Sequence, residues 1–281
     1  MKKILWSKGL EEKTNYQMAH TGYGTTMYEL MREINNCKDI LWVRNNGCDL
    51  DGIALLIDKI DKKIKIVVAD GDTSLGQYKI KTIRKLIDSD NVIKMYFQNY
   101  EDFDPMLLHH KITYWPIGLD LHTKETAIGR NPTDKYEYLL KMRNIPKTIN
   151  KALIDFKNTP RSDNRVKILN QSKDNENIVI LNNRLKIFDL YKLYSQYRFI
   201  VCGEGGGLDS HRNYEAWLAG CCVLTHNSSL NQMYEEFATI FINDFSKITQ
   251  EDLDKYWTAT TQKRTTENVV PKFKYSYWYK K

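Results

Sequence analysis

Residues 200–235 read IVCGEGGGLDSHRNYEAWLAGCCVLTHNSSLNQMYE and set three consecutive glycines, Gly205, Gly206 and Gly207, ahead of His211, Arg212 and Glu215. Glycine loses the most backbone entropy on folding, so a run of it needs a use. RFIVCG reads as a strand and SHRNYEAWLAG as a helix with Asp209 or Ser210 as its N-cap. A strand, a glycine loop and a helix in that order aim backbone N–H groups and a positive helix end at one point, a natural site for an anion such as a pyrophosphate. Arg212 falls in the first helical turn, where a cation opposes the helix dipole; pairing of its guanidinium fork with phosphate offsets that cost. Glu215 shares a helical face with Arg212. It suits the hydroxyl pair of a ribose, as in dinucleotide sites, or a plain Arg212–Glu215 surface ion pair. GEGGG does not fit G-x-G-x-x-G, which leaves a nicotinamide dinucleotide weakly supported.

The elements that must hold these residues alternate between strand and helix. In the first half, KKILW at residues 2–6, DILWVRN, KIKIVVADGD, NVIKMYFQNY and KITYWPIGLDL read as strands. TTMYELMREI and SLGQYKIKTIRKLIDS read as helices, and LDGIALLIDKI favours a helix. In the second half VKIL, NIVIL, RFIVCG, CCVLTH and ATIFIND are strands between helical RLKIFDLYKLYSQY, SHRNYEAWLAG, SLNQMYEEF and ITQEDLDKYW. The pattern implies α/β units with mostly parallel sheets. Residues 121–164 are polar, carry Pro132, Pro146 and Pro160, and offer one helix near 134–143, so they read as a linker region. The expected division is a Rossmann-like domain over 1–120 and a second over 165–281, with the aromatic tail KFKYSYWYKK returning to the first.

Composition narrows the partners. A chain of 281 residues accommodates two modest domains, and its net charge of +7 suits an anionic ligand or a lysine-rich surface. No dense basic stretch interleaved with aromatics points to nucleic acid. No apolar run is long enough to span a membrane, and MKKILWSKG lacks the apolar core of a signal peptide. Five cysteines, an odd count without C-x-x-C, and histidines not spaced with them argue against a disulfide framework or a zinc site. A reducing, cytoplasmic setting is expected.

The segment CGEGGGLDSHRNYEAWLAGCCVLTHNSSLNQMYEEFATIFINDFSKIT resembles the C-terminal signature of exostosin-like glycosyltransferases. The matching positions are Gly205 to Gly207, Asp209, His211, Arg212, Glu215, Gly220 with Cys221, and Leu230 with Tyr234 and Glu235; upstream, Asn158 and Arg165 take the places of a family Asn and Arg. The chain departs from the family at Cys222–Val223, where proline is common, and at Cys202–Gly203–Glu204 before the loop. The resemblance implies a GT-B fold, two Rossmann-like domains facing across a cleft. It also implies inverting transfer of a sugar from a nucleotide-sugar donor, UDP-linked with xylose among the candidates, to a glycan or glycoprotein acceptor. Arg212 would lie near the diphosphate, Glu215 near the ribose, and Arg165 would supply further positive charge. No tightly bound cofactor is implied, though a divalent cation could stimulate. A compact chain of this kind is similar to exostosin-like proteins encoded by large algal viruses, which would place it in host cytoplasm. A non-catalytic sugar-nucleotide or glycan-binding protein of the same fold is the alternative.

Inverting transfer needs a base for the acceptor hydroxyl and positive charge on the departing diphosphate. Candidates for the base in the first domain are His20, Asp70, Asp72, Asp102, Asp104, His109 and His110. KIKIVVA delivers Asp70–Gly71–Asp72 to a strand's carboxyl end, where open α/β sheets bind ligands. Three readings stand: base or acceptor anchor, metal ligands of a different Asp-x-Asp glycosyltransferase fold holding Mn or Mg, or a turn before the next helix. Gly22, Tyr23 and Gly24 mark either a ligand-facing bend or a plain turn.

Overall fold

The structure is a computed structural model that describes residues 4–5, 26–45, 49–101, 108–120, 132–157 and 162–279. His20, Gly22, Tyr23, Gly24, Asp102, Asp104 and Asn158 lie outside the described residues. The chain forms two compact units, one of Ser7–Ile117 and one of Gly118–Lys281 together with Met1–Trp6.

The N-terminal unit is built on a four-stranded parallel sheet in the order β1 (Ile40–Arg44), β2 (Ile64–Ala69), β3 (Val92–Phe97), β4 (Ile112–Tyr114). Strands of a parallel sheet covered on both faces read as continuous apolar runs, and IKIVVA and ILWVR do so. The helices are α1 (Met27–Asn36), α2 (Asp49–Leu56) and α3 (Ile80–Asp88). Helix α1 begins with a capping box: the Glu29 N–H donates to Thr26 Oγ1 at 3.2 Å and the Thr26 N–H to Glu29 Oε2 at 2.8 Å. Leu30, Ile53, Val68, Ile83 and Phe97 meet in one buried core.

The C-terminal unit has a five-stranded parallel sheet in the order β6–β5–β7–β8–β9, from β5 (Ile149–Ile154), β6 (Ile178–Ile180), β7 (Tyr197–Val201), β8 (Cys222–Thr225) and β9 (Thr239–Phe241). Its main helices are α4 (Pro132–Arg143), α5 (Asp163–Ser172), α6 (Ile187–Tyr194), α7 (His211–Leu218), α8 (Asn231–Tyr234) and α9 (Gln250–Ala259). Both units are Rossmann-like, the pair that a GT-B chain comprises.

Four expectations are corrected. KKILW is not the first strand of the N-terminal sheet. Ile4 makes an antiparallel bridge to Lys274, and the Leu5 N–H donates to the Phe273 carbonyl at 2.9 Å. VKIL lies inside α5, whose N-cap Ser162 supplies a start signal that a four-residue apolar run conceals. The stretch 121–164 is more than a linker: it contributes α4 and the central strand β5. INKALI escaped notice because its first half is polar. Asn150 Nδ2 donates to Asp254 Oδ1 and Lys151 Nζ to the Glu176 carbonyl, each at 2.8 Å, and only Ala152, Leu153 and Ile154 are buried. The tail packs into the C-terminal unit, with the Phe273 and Trp278 rings each 6.2 Å from Phe237.

Candidate functional site

The carboxyl ends of β5 and β7 define a crevice by topology. The chain leaves β5 for β6 on one side and arrives at β7 on the other, so the loops after β5 and β7 diverge. Open α/β sheets bind ligands at such switch points. Asp155 and Phe156 follow β5, and Cys202 to Gly207 follow β7. Ser162, at the start of α5, donates its hydroxyl to the Glu204 carbonyl at 2.9 Å, and Asn164 Oδ1 accepts the Glu204 N–H at 3.3 Å. Those bonds lash the glycine loop to the helix that follows β5.

The glycines answer to space rather than to dihedral angle, because Gly205, Gly206 and Gly207 are not among the positive-φ glycines. A Cβ on Gly203 would stand 3.0 Å from Arg165 Cγ, and one on Gly205 3.3 Å from Arg165 Nη2. The Gly205 N–H donates to the Gly207 carbonyl at 3.0 Å, which folds the run back on itself. Arg165 thus lies against the loop at Gly203 and Gly205.

Arg165 and Arg212 meet over one ring. Their guanidinium carbons lie 5.3 and 5.8 Å from the centroid of Phe156, which is buried. Within that pair the roles differ. Arg212 Nε forms an ion pair with Asp155 Oδ1; the side chains are 22% and 1% exposed. Asp155 also accepts the Tyr194 hydroxyl at 2.8 Å. Burial works against the charge of Arg212, but Asp155, together with smaller contributions from Tyr194, Cys202 and Glu215, holds the guanidinium's pKa above the ordinary arginine value. Arg165 has no ion pair among the described residues. Burial, and then the charge of Arg212, push its pKa down. Two like charges side by side with one buried acid between them leave the site short of negative charge, which an anion would supply.

Neither arginine pairs with Glu215, so the Arg212–Glu215 surface bridge does not form. Glu215 is buried and pairs with Lys135 on α4. Asp209 is placed as an internal acceptor: it takes the hydroxyls of Tyr214 and Tyr234 at 2.8 and 2.9 Å and the Ser210 N–H at 2.8 Å. Those bonds fix the entry to α7, whose N-cap is Ser210. His211 Nδ1 is 2.8 Å from the Gly118 carbonyl, and burial lowers its pKa. At the other end of α7, Arg143 Nη1 donates to the Trp217 carbonyl at 2.9 Å and Lys147 Nζ to the Ala219 carbonyl at 2.8 Å. Cations on the last carbonyls complement the dipole. Helix α7 is thus braced at both ends, with its positive end beside the glycine loop.

In the N-terminal unit, Asp70–Gly71–Asp72 follows β2 at the sheet's carboxyl edge. Asp70 takes a left-handed backbone with φ 65°, as does Asn99 after β3 with φ 56°. Such conformations in non-glycine residues cluster at functional sites. Three side-chain amides converge on the Gly71 carbonyl: Asn45 Nδ2 at 3.1 Å, Gln98 Nε2 at 2.7 Å and Asn99 Nδ2 at 3.1 Å. Asp70 lies 3.7 Å from Arg44 Nε, whereas Asp72 is exposed. A Cβ on Gly71 would overlap the Asn45 carbonyl. Gly71→Ala should therefore destabilise the unit by about 1–3 kcal/mol through overpacking, read as a lower urea midpoint; an unchanged midpoint would show that the turn yields freely. The His109 and His110 rings meet at a tilt with centroids 4.2 Å apart, and burial, then the charge of His110, lowers the pKa of His109. Among the described residues, no three His, Cys, Asp or Glu side chains are grouped as a metal would need.

Asp155, Phe156 and Lys135 had no sequence signal. Each sits in or beside the stretch read as linker, and each gains its meaning from a partner on another element.

No family model and no curated protein matches the chain. Among solved structures it is similar to an α,α-trehalose-phosphate synthase (UDP-forming) from Burkholderia vietnamiensis, at 9% identity over 88% of this chain and 74% of that one, with a TM-score of 0.47. It is also similar to the UDP-GlcNAc 2-epimerase of Methanocaldococcus jannaschii, at 14% identity over 91% and 80%, TM-score 0.39. A third is the N-terminal domain of Candida albicans trehalose-6-phosphate phosphatase, at 10% identity over 87% and 68%, TM-score 0.42. Likeness this remote carries no argument about activity, and it supports neither exostosin-like membership nor a viral source. No helix among the described residues is long and apolar enough to cross a membrane.

Proposed function

We propose that the protein is a glycosyltransferase of GT-B type that moves a sugar, with inversion, from a nucleotide-sugar donor to a glycan hydroxyl. The donor is UDP-linked, with xylose among the candidate sugars. One observation carries the reading: a bare glycine loop, the positive end of a braced helix and a half-buried guanidinium, Arg165, with no ion pair among the described residues, meet at the switch point of a parallel sheet.

In the proposed reaction the acceptor oxygen bonds to the anomeric carbon as the bond from that carbon to the diphosphate breaks. The electron pair leaves on the nucleoside diphosphate, and the acceptor proton passes to a carboxylate, Asp72 or Asp70. Arg165, the glycine loop and α7 meet the charge that develops on the leaving group. Arg212 acts beside them, tied to Asp155. Glu215 accepts the ribose hydroxyls.

A panel of nucleotide sugars, with mass spectrometry of hydrolysis and transfer products, tests the activity. Turnover of a UDP-sugar is expected, and it should persist in chelator because the protein's own cations face the diphosphate. Binding of UDP without turnover of any donor would favour the non-catalytic alternative. Loss of transfer in chelator, restored by Mn alone, would point instead to Asp70 and Asp72 as metal ligands.

A further inference from the structure

Lys135 and Glu215 pair at 2.6 Å with 6% and 8% of their side chains exposed. The Lys135 ammonium also donates to the Asp120 carbonyl and lies 5.7 Å from the centroid of the Tyr191 ring. Burial, and after it the charge of Glu215, push the Tyr191 hydroxyl well above its ordinary pKa. The groups facing Glu215 are thus Lys135 from α4, Tyr191 and Tyr194 from α6, and His211 and Arg212 from α7 itself, with Asp120 acting on Tyr191 and His211. A buried ion pair stabilises little beyond what packed apolar side chains of similar volume would give. What it does supply is a carboxylate fixed in direction away from bulk water, on the helix whose first turn carries Arg212.

We propose that Lys135 is a positioning residue for nucleoside binding, holding Glu215 as an oriented acceptor for the vicinal hydroxyl pair of a ribose. The inference rests on the nucleotide reading above. Glu215 Oε1 faces Lys135, and Oε2 is the atom assigned to the ribose. Without Lys135 the carboxylate loses the partner that fixes its direction, so it offers the ribose a less well-placed acceptor.

Two probes separate the parts. Inorganic pyrophosphate reports the glycine loop and Arg165 alone, and UDP adds the ribose. In calorimetric titrations at neutral pH, Lys135→Met should bind UDP more than tenfold more weakly than wild type while its pyrophosphate affinity stays within about twofold. Lys135→Arg should restore binding. A Lys135→Met, Glu215→Met double variant guards against misfolding: with the pair replaced by apolar volume it should melt normally, bind pyrophosphate as wild type does, and bind UDP no more tightly than pyrophosphate. Wild-type UDP affinity in Lys135→Met, or equal losses for UDP and pyrophosphate, would overturn the positioning role alone. Wild-type protein that binds neither probe would overturn the nucleotide reading and this role with it.

Discussion

Arg212→Ala should lower the stability of the fold by about 3–5 kcal/mol, the usual penalty for leaving one member of a buried ion pair alone. The lower end is expected, because the arginine side chain is 22% exposed, whereas Asp155 is 1% exposed and keeps only the Tyr194 hydroxyl when its cation is removed. Urea unfolding at neutral pH measures the loss. Asp155→Asn in the same chain removes the stranded charge and leaves an acceptor for Tyr194, so the double variant should regain most of it. Arg165→Ala should behave in the opposite way. No acid among the described residues pairs with Arg165, and burial and Arg212 already weigh against its charge. Its loss should leave stability within about 1 kcal/mol of wild type but cost roughly 2–5 kcal/mol of diphosphate binding, more than tenfold in affinity. One arginine serves mainly the fold and the other mainly the ligand. Equal ligand losses with unchanged stability in both variants would refute that division.

That division shows what sequence reading can reach. The strand–glycine–helix order was legible because it is local: RFIVCG, the glycines and the α7 helix are contiguous and each carries its own signal. Arg212 and Glu215 were legible as chemistry for the same reason. Their partners were not. Asp155 belongs to the end of a strand whose first half is polar, and Lys135 to a helix in a proline-bearing stretch, so neither announces that it faces α7. Asp209 reads in the sequence as a cap or as a matching position of the resemblance, and nothing in that reading shows the two tyrosine hydroxyls from α7 and α8 that donate to its oxygens. An acid or base on a helix becomes a site residue or a structural pin according to which distant side chain arrives beside it, and periodicity is silent on that. The fold itself was legible where burial on both faces writes continuous apolar runs, as in β2, and illegible where a short strand is buried at one end, as in β5.

Asp72→Asn should reduce transfer by about 10²–10⁴-fold, the typical contribution of a positioned general base, while leaving UDP affinity unchanged. The choice of Asp72 over its neighbour follows from what each carboxylate is already doing. Asp70 holds a left-handed backbone, its N–H donates to Gln98 Oε1 at 3.0 Å, and its carboxylate faces Arg44. The amides of Asn45, Gln98 and Asn99 grip the Gly71 carbonyl between the two acids. The turn is therefore rigid up to Gly71, and Asp72 leaves it exposed, which suits a group that must meet an acceptor hydroxyl. Asparagine tolerates the left-handed region, so Asp70→Asn should fold normally and serves as the matched control. Single-turnover release of UDP from whichever donor the wild-type protein consumes gives the rate, and calorimetric titration of UDP gives the affinity. A large loss in Asp72→Asn with a small one in Asp70→Asn assigns the base; the reverse pattern moves the role to Asp70. Near-wild-type rates in both variants would leave Asp70–Gly71–Asp72 as a pinned turn and send the search for the base elsewhere in the chain.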